Sequence, residues 1–174
     1  KDLAYFVQGT DEFSAYIQDM LWAQLYAFQN RDLIMDAALA DVFRYVAPGQ
    51  EVSRINCHHN YAIREVHNGK LLWITRKGAI RAKKGDLGLI PGSMGTGSFV
   101  VRGLGNPLSY NSAAHGAGRR MSRGEAKRTL TVDSLEAIMD GKAWNKGSSK
   151  ELLDEHPSSY KDINQVMEDQ KDLV

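Results

Sequence analysis

Three stretches of the chain differ in the rhythm of their apolar positions. From about residue 10 to 46, Phe13, Tyr16, Ile17, Met20, Leu21 and Leu25 recur at helical spacing. Thr10 suits the N-cap of this run, and Asp11 and Glu12 favour the positive end of a helix dipole. Asn30 reads as the cap of a second helix carrying Leu33, Ile34, Ala38, Val42 and Tyr45, stopped by Pro48-Gly49. From about 51 to 115 the chain turns rich in glycine and β-branched residues. Residues 61–67 and 71–76 flank Asn68-Gly69, a hairpin signal because both central positions need positive φ. Further strands are predicted at 87–90 and 98–102. Helical pattern then returns. Ser122-Arg123-Gly124-Glu125 has the form of a capping box, and Asp133 is read as the cap of a helix over 134–139 with Gly141 as its stop. Residues 162–173 predict a final amphipathic helix with Ile163, Val166 and Met167 inward. The expected fold is α+β, a β-rich centre with hairpins flanked by helices at both ends.

Composition narrows the picture. At 174 residues the chain is long enough for one domain with a sizeable core. Net charge is +1, so no global basic field points to nucleic acid, and any such contact must come from local clusters. The single cysteine, Cys57, excludes an internal disulfide framework and fits a reducing, cytoplasmic setting. No apolar run reaches the roughly 18 residues that suggest a membrane span. The chain runs from Lys1 straight into the apolar stretch 3–7, which predicts an incomplete protein. The N-terminal helices carry more apolar surface than a short β-rich centre covers. An exposed apolar face, where a missing part would dock, is therefore expected.

The residues with unusual chemistry crowd into the centre. Cys57-His58-His59-Asn60 packs three possible metal ligands into four positions. Strand alternation turns neighbours to opposite faces, so one of His58 and His59 faces any given site. A structural pair of histidines fits the same motif. Arg76-Lys77-Gly78, with Arg81, Lys83 and Lys84 close behind, suits phosphate or a solvated surface equally. The loop Pro91-Gly92-Ser93-Met94-Gly95-Thr96-Gly97-Ser98 lets backbone approach an anion, or serves as an ordinary turn. It is not a Walker A loop, since no Gly-Lys-Ser/Thr follows. His115-Gly116-Ala117-Gly118-Arg119 is the sharpest element. A neutral imidazole is a nucleophile, the small residues leave room for a bulky substituent, and Arg119 and Arg123 can clamp phosphate.

Taken in order, Cys57-His58-His59-Asn60-Tyr61-Ala62, Thr75-Arg76-Lys77-Gly78-Ala79, Ile90-Pro91-Gly92-Ser93-Met94-Gly95 and His115-Gly116-Ala117-Gly118-Arg119 resemble the signature blocks of the RtcB family of tRNA-splicing, 3′-phosphate RNA ligases. Tyr160-Lys161-Asp162-Ile163 with Val166-Met167 is similar to the family's end region. The resemblance covers essentially the whole chain and implies the C-terminal portion of a single RtcB-like ligase domain over 1–174, an incomplete domain. It implies GTP- and manganese-dependent sealing of RNA 2′,3′-cyclic phosphate or 3′-phosphate ends to 5′-hydroxyl ends, in tRNA splicing and RNA repair. A pair of manganese ions serves each complete site, with GTP as co-substrate. On the same footing His115 is the guanylylated histidine. Asn60, Pro91, Gly92, Ser93, Met94, Ser98, Gly116, Ala117 and Gly118 bind the nucleotide, with Tyr160 near guanine. Lys77, Arg119 and Arg123 sit near the reacting phosphates or RNA, and His59 binds metal. The family's other metal ligands belong to an N-terminal half absent here, and its final Lys-Gly lies beyond Val174. This fragment alone is therefore expected to be inactive, and an activating protein partner is possible for the family. Two other classes fit the residues: a nucleotide- or RNA-binding module without ligase chemistry, and a metal-dependent phosphoesterase.

Overall fold

Residues 11 to 45 form one continuous helix, α1 (Asp11–Tyr45), in a computed structural model that describes residues 4–174. Lys1 to Leu3, the start of the apolar opening stretch, lie outside the described residues. Thr10 caps α1 as expected, its hydroxyl accepting from the Phe13 amide at 3.2 Å. The two helices predicted for this region are a single one. Asn30 lies inside it and caps nothing. Around it stand Tyr26-Ala27-Phe28-Gln29 and Arg31-Asp32-Leu33-Ile34, with no proline or glycine. One asparagine costs only tenths of a kcal/mol in a helix interior, too little to interrupt a propagating ladder.

The chain divides into two units, meeting in sequence between Lys77 and Gly78. In the first, a hairpin comes after α1. β1 (Asn60–His67) pairs antiparallel with β2 (Lys70–Lys77), with Asn60 opposite Lys77 and His67 opposite Lys70. The turn is the predicted one, with φ of 50° at Asn68 and 74° at Gly69. Polar side chains lace α1 to β1 and to the segment between them. Gln24 accepts from the Ala62 amide at 2.6 Å and donates to its carbonyl at 3.2 Å, copying a strand's pairing. Asn56 donates to Phe28 O at 3.1 Å and to Asp32 Oδ1 at 2.8 Å, while Arg54 reaches Asp36 and Glu51. The hairpin buries a charged cluster. Arg76, only 3 % exposed, donates to both oxygens of Glu65 at 2.9 and 3.0 Å and to the Tyr61 hydroxyl at 3.1 Å. Glu65 also meets His67 Nε2 at 2.9 Å. Between α1 and the hairpin runs a groove of about 470 Å³, bordered by Phe13, Tyr16, Tyr61 and Trp73 among others. No residue of α1 is buried, and Trp22, Leu25, Tyr26, Leu33 and Ile34 are exposed, as the excess of apolar surface predicted.

The second unit holds two further antiparallel pairs. β3 (Ala79–Arg81) pairs with β6 (Ser112–Ala114), and β4 (Leu87–Pro91) pairs with β5 (Ser98–Arg102). The last two strands fall where sequence alone placed them. Three short helices come next: α2 (Arg123–Thr129), α3 (Val132–Ile138) and α4 (Ile163–Asp169), with 3-10 turns at Glu151–Glu155 and Pro157–Ser159. Ile80, Ile90, Ala113, Ala126, Leu135, Met139 and Ile163 form the core. Ser122 caps α2 through the Glu125 amide at 3.1 Å. The cap of α3 is Thr131, not Asp133. Thr131 and Ser134 exchange reciprocal side-chain bonds, and Asp133 falls in the first turn. Asp162 caps α4, which stops at Asp169 rather than running to 173. Gln170 is pulled inward there, its side-chain oxygen accepting from the Ala114 amide at 2.9 Å, so the last residues hold β6 instead of extending a helix.

Candidate active site

In the second unit the candidate residues converge on the end of β6. His115 follows directly from Ala114, which pairs with Ala79. Its half-buried ring lies over Gly78. A β-carbon at Gly78 would sit 3.3 Å from His115 Cε1, and φ there is 69°. The backbone conformation therefore favours glycine there, and any β-carbon would press the imidazole aside by a few tenths of an ångström. Two residues on, the Ala117 amide donates to Pro91 O at 3.1 Å. This bond joins the histidine segment to the first residue of the glycine-rich loop, and so brings together two blocks far apart in sequence.

The loop itself is stapled from within. Gly92 N donates to Gly97 O at 3.1 Å, Ser93 N to Thr96 Oγ1 at 2.7 Å, Thr96 N to Ser93 O at 3.1 Å and Gly95 N to Ser93 Oγ at 3.3 Å. These amides, and that of Ala117, hold the site's shape rather than forming a ready anion cradle. Met94 and Ser98 stand on the same loop, and Gly118, with φ of 72°, is exposed beside it.

Arg119 is fully engaged by protein. It donates to Met121 O at 3.2 Å, to the Tyr160 hydroxyl at 3.1 Å and to Asp154 O, and its guanidinium lies 4.9 Å from the Tyr160 ring centre. Tyr160 in turn donates to Glu155. Burial, then the Glu155 hydrogen bond, raises the Tyr160 pKa above its ordinary value. Arg123 pairs with Glu155 at 3.1 Å and Asp154 at 3.6 Å, but its side chain is 69 % exposed. Screening by solvent makes that pairing weak and easily exchanged for another anion.

His59, Asn60 and Lys77 belong to the first unit and gather at the open end of its hairpin. Asn60 and Lys77 are cross-strand partners, and His59 immediately precedes β1. His58 is spent on packing. Its Nδ1 accepts from Arg31 at 3.2 Å, and its ring lies 5.8 Å from Phe28 and 5.3 Å from Tyr61. Burial, then the charges of Arg31 and His59, lowers its pKa. His59 is exposed. Among the described residues no group of three or more His, Cys, Asp or Glu side chains is placed to hold a metal ion. Manganese favours several oxygen and nitrogen ligands, so the residues present do not compose its site. Likewise no helix among them is long and apolar enough to cross a membrane.

Sequence reasoning misses three contributors. In the sequence Gly78 stands in a basic block and in one of the family-like blocks, with no sign there that it is the floor under His115. Glu155 and His156 do not stand out there either. Their signal is the run Asp154-Glu155-His156-Pro157, a charged cluster stopped by proline.

The sequence profile described as "tRNA-splicing ligase RtcB" matches residues 1–174. The chain is 45 % identical over 180 residues to the RNA-splicing ligase RtcB1 of Escherichia coli (strain ATCC 25922), covering 100 % of this chain and 44 % of that protein. The RNA-splicing ligase RtcB of E. coli K12 matches at the same identity and coverage. The tRNA-splicing ligase RtcB of Aeropyrum pernix is 33 % identical over 190 residues, 95 % of this chain and 40 % of its own. The chain therefore spans less than half the length of these relatives.

Proposed function

This chain belongs to the RtcB family of tRNA-splicing ligases, and from that premise we propose that it carries the guanylylated histidine, His115, of a GTP-dependent RNA ligase. The ligase would join RNA 2′,3′-cyclic phosphate or 3′-phosphate ends to 5′-hydroxyl ends. The observation that supports this best is the Ala117-to-Pro91 bond, which ties the histidine segment to the loop proposed to hold the nucleotide.

A ring nitrogen of His115 attacks the α-phosphorus of GTP. A phosphorus–nitrogen bond forms, the bond to the bridging oxygen breaks, and pyrophosphate leaves. A 2′,3′-cyclic end is first opened by water to a 3′-phosphate. An oxygen of that phosphate takes GMP as the phosphorus–nitrogen bond breaks, and the 5′-hydroxyl then attacks the 3′-phosphorus and releases GMP. Gly78 and the Pro91 tether fix the imidazole for in-line attack, the positioning that such transfers depend on. Gly118 opens on free space for the phosphate and Gly116 lets the chain pass close to Pro91 O, while Pro91, Gly92, Ser93, Met94 and Ser98 border the nucleotide and the family likeness adds Asn60. Arg123, exposed and weakly paired, is the better phosphate cation. Arg119 supports Tyr160. Lys77 supplies a further cation. His59 is the one manganese ligand proposed from this chain, and no step is assigned to the ion.

The test uses a protein of the relatives' full length carrying this chain. Incubation with GTP and manganese should add the mass of GMP. The adduct should be lost in acid and survive in base, unlike a phosphoester on Ser93 or Ser98. His115→Ala should abolish it and Lys77→Ala should leave it. Labelling that persists in His115→Ala sinks the assignment, and GTP held without an adduct would favour a binding module.

A further inference from the structure

Beneath the loop and the His115 segment lies one buried histidine that no step of the proposed chemistry uses. His156 is 1 % exposed. Both ring nitrogens are occupied, and the donors fix the tautomer. Nδ1 accepts from the Ser158 amide at 3.0 Å, so it carries no proton. Nε2, at 3.2 Å from Ser134 Oγ, is therefore the donor, since the serine hydroxyl is given to Thr131 O at 2.8 Å. The ring thus spans from the first turn of α3 to the turn Pro157–Ser159.

That turn supports both halves of the site. On one side Pro157 packs against the tip of the glycine-rich loop. A β-carbon at Gly95 would lie 2.6 Å from Pro157 Cγ and 3.6 Å from Met139 Sδ, which closes α3. On the other side Ser159 O accepts from Arg120 N at 2.9 Å, and Gly118 O accepts from Lys161 N at 3.0 Å. Tyr160, between them, stacks under Arg119. The loop and the histidine segment therefore rest on one short turn. Arg120 Nε holds it from one side through Ser158 O at 2.8 Å, and the imidazole ties it to α3 from the other.

We propose that His156 is a positioning residue for this site, seating the glycine-rich loop on Pro157 and the Gly118–Arg120 backbone on Ser159 and Lys161. Its relevance to nucleotide handling rests on the loop's proposed role in holding GTP. Phenylalanine at 156 keeps much of the ring volume and removes both bonds. Asparagine keeps an acceptor for the Ser158 amide and loses the reach to Ser134.

Amide exchange on the intact chain tests this. In His156→Phe, protection at Gly92, Gly95, Thr96, Arg120 and Lys161 should fall at least tenfold relative to β1 and β2. His156→Asn should restore most of it, and Ser134→Ala should give an intermediate loss. Unchanged exchange at these amides in His156→Phe, or a uniform rise across residues 78–174 that asparagine does not relieve, overturns the proposal. If His156→Phe does not fold, the comparison of His156→Asn with Ser134→Ala decides it. Equal loss in those two variants, spread over the whole unit, also overturns it. A GTP titration of the full-length protein separates the two layers. Loosened amides with a weakened GTP KM and little change in kcat support both readings. Loosened amides with unchanged GTP binding support the seating and sink the assignment of the loop to nucleotide.

Discussion

Gly78 meets two demands at once, a left-handed backbone and an imidazole in van der Waals contact. Alanine there must accept strain of about 1 kcal/mol and push His115 aside. Gly78→Ala is expected to leave global stability within about 2 kcal/mol and to slow GMP labelling at least tenfold, read by single-turnover kinetics. Labelling at the native rate would show that the ring tolerates displacement. His156 yields a pH prediction of definite sign. Burial lowers its pKa below 6.5 in the folded chain, so the unfolded chain takes up the proton more readily. Its contribution is complete above 6.5 and is lost as pH falls through 6.5 toward the folded value. Urea midpoints at about pH 7.5 and about pH 5.5 should therefore differ more in the native chain than in His156→Asn. An equal difference in both would mean that the proton enters at no cost.

At the level of elements, the hairpin is legible in the sequence because its signal is local. Asn68-Gly69 dictates the turn, and the turn dictates the register. Strands β4 and β5 are legible for the same reason. Boundaries that depend on tertiary contacts are not. Whether Asn30 caps or continues a helix is decided by propagation along α1, and α4 ends where Gln170 turns in to meet Ala114. The charged interior of the hairpin is equally hidden, since alternation marks Glu65 and Arg76 only as polar. Removing one partner of this cluster leaves the other charge buried. Glu65→Ala is expected to cost about 3 to 5 kcal/mol in urea unfolding. Glu65→Gln, which retains an acceptor for Arg76, should cost less. A loss under about 1 kcal/mol for the alanine variant would mean that Arg76 finds water or another acceptor.

For the molecule as a whole, the blocks that resemble the family can be read from sequence, since each is a run of neighbouring residues. How their side chains are used cannot. Arg119 and Arg123 look alike in the sequence, yet one is locked to Tyr160, Met121 and Asp154 while the other is exposed. Exposure on α1 carries a prediction at this scale. Leu33 and Ile34 are 67 % and 60 % exposed, so changing both to lysine should alter stability by no more than about 0.5 kcal/mol each. Self-association of the chain, followed by light scattering, should fall in the same variant. Association unchanged by the substitution would place the sticky surface elsewhere.

The bond from the Ala114 amide to Gln170 also sets a clock. The two residues are 56 positions apart, so at ordinary synthesis rates of about 5 to 20 residues per second Gln170 is made roughly 3 to 11 s after Ala114. Until then the strand that carries His115 lacks its last anchor, and the turn at His156 that seats the glycine-rich loop is made only shortly before. During translation this unit cannot mature from its beginning forward. His115 emerges early and waits in an unfinished sheet. A nascent chain stalled with β6 outside the ribosome and Gln170 still inside should be cleaved by proteases near β6, whereas emergence of Gln170 should close that window.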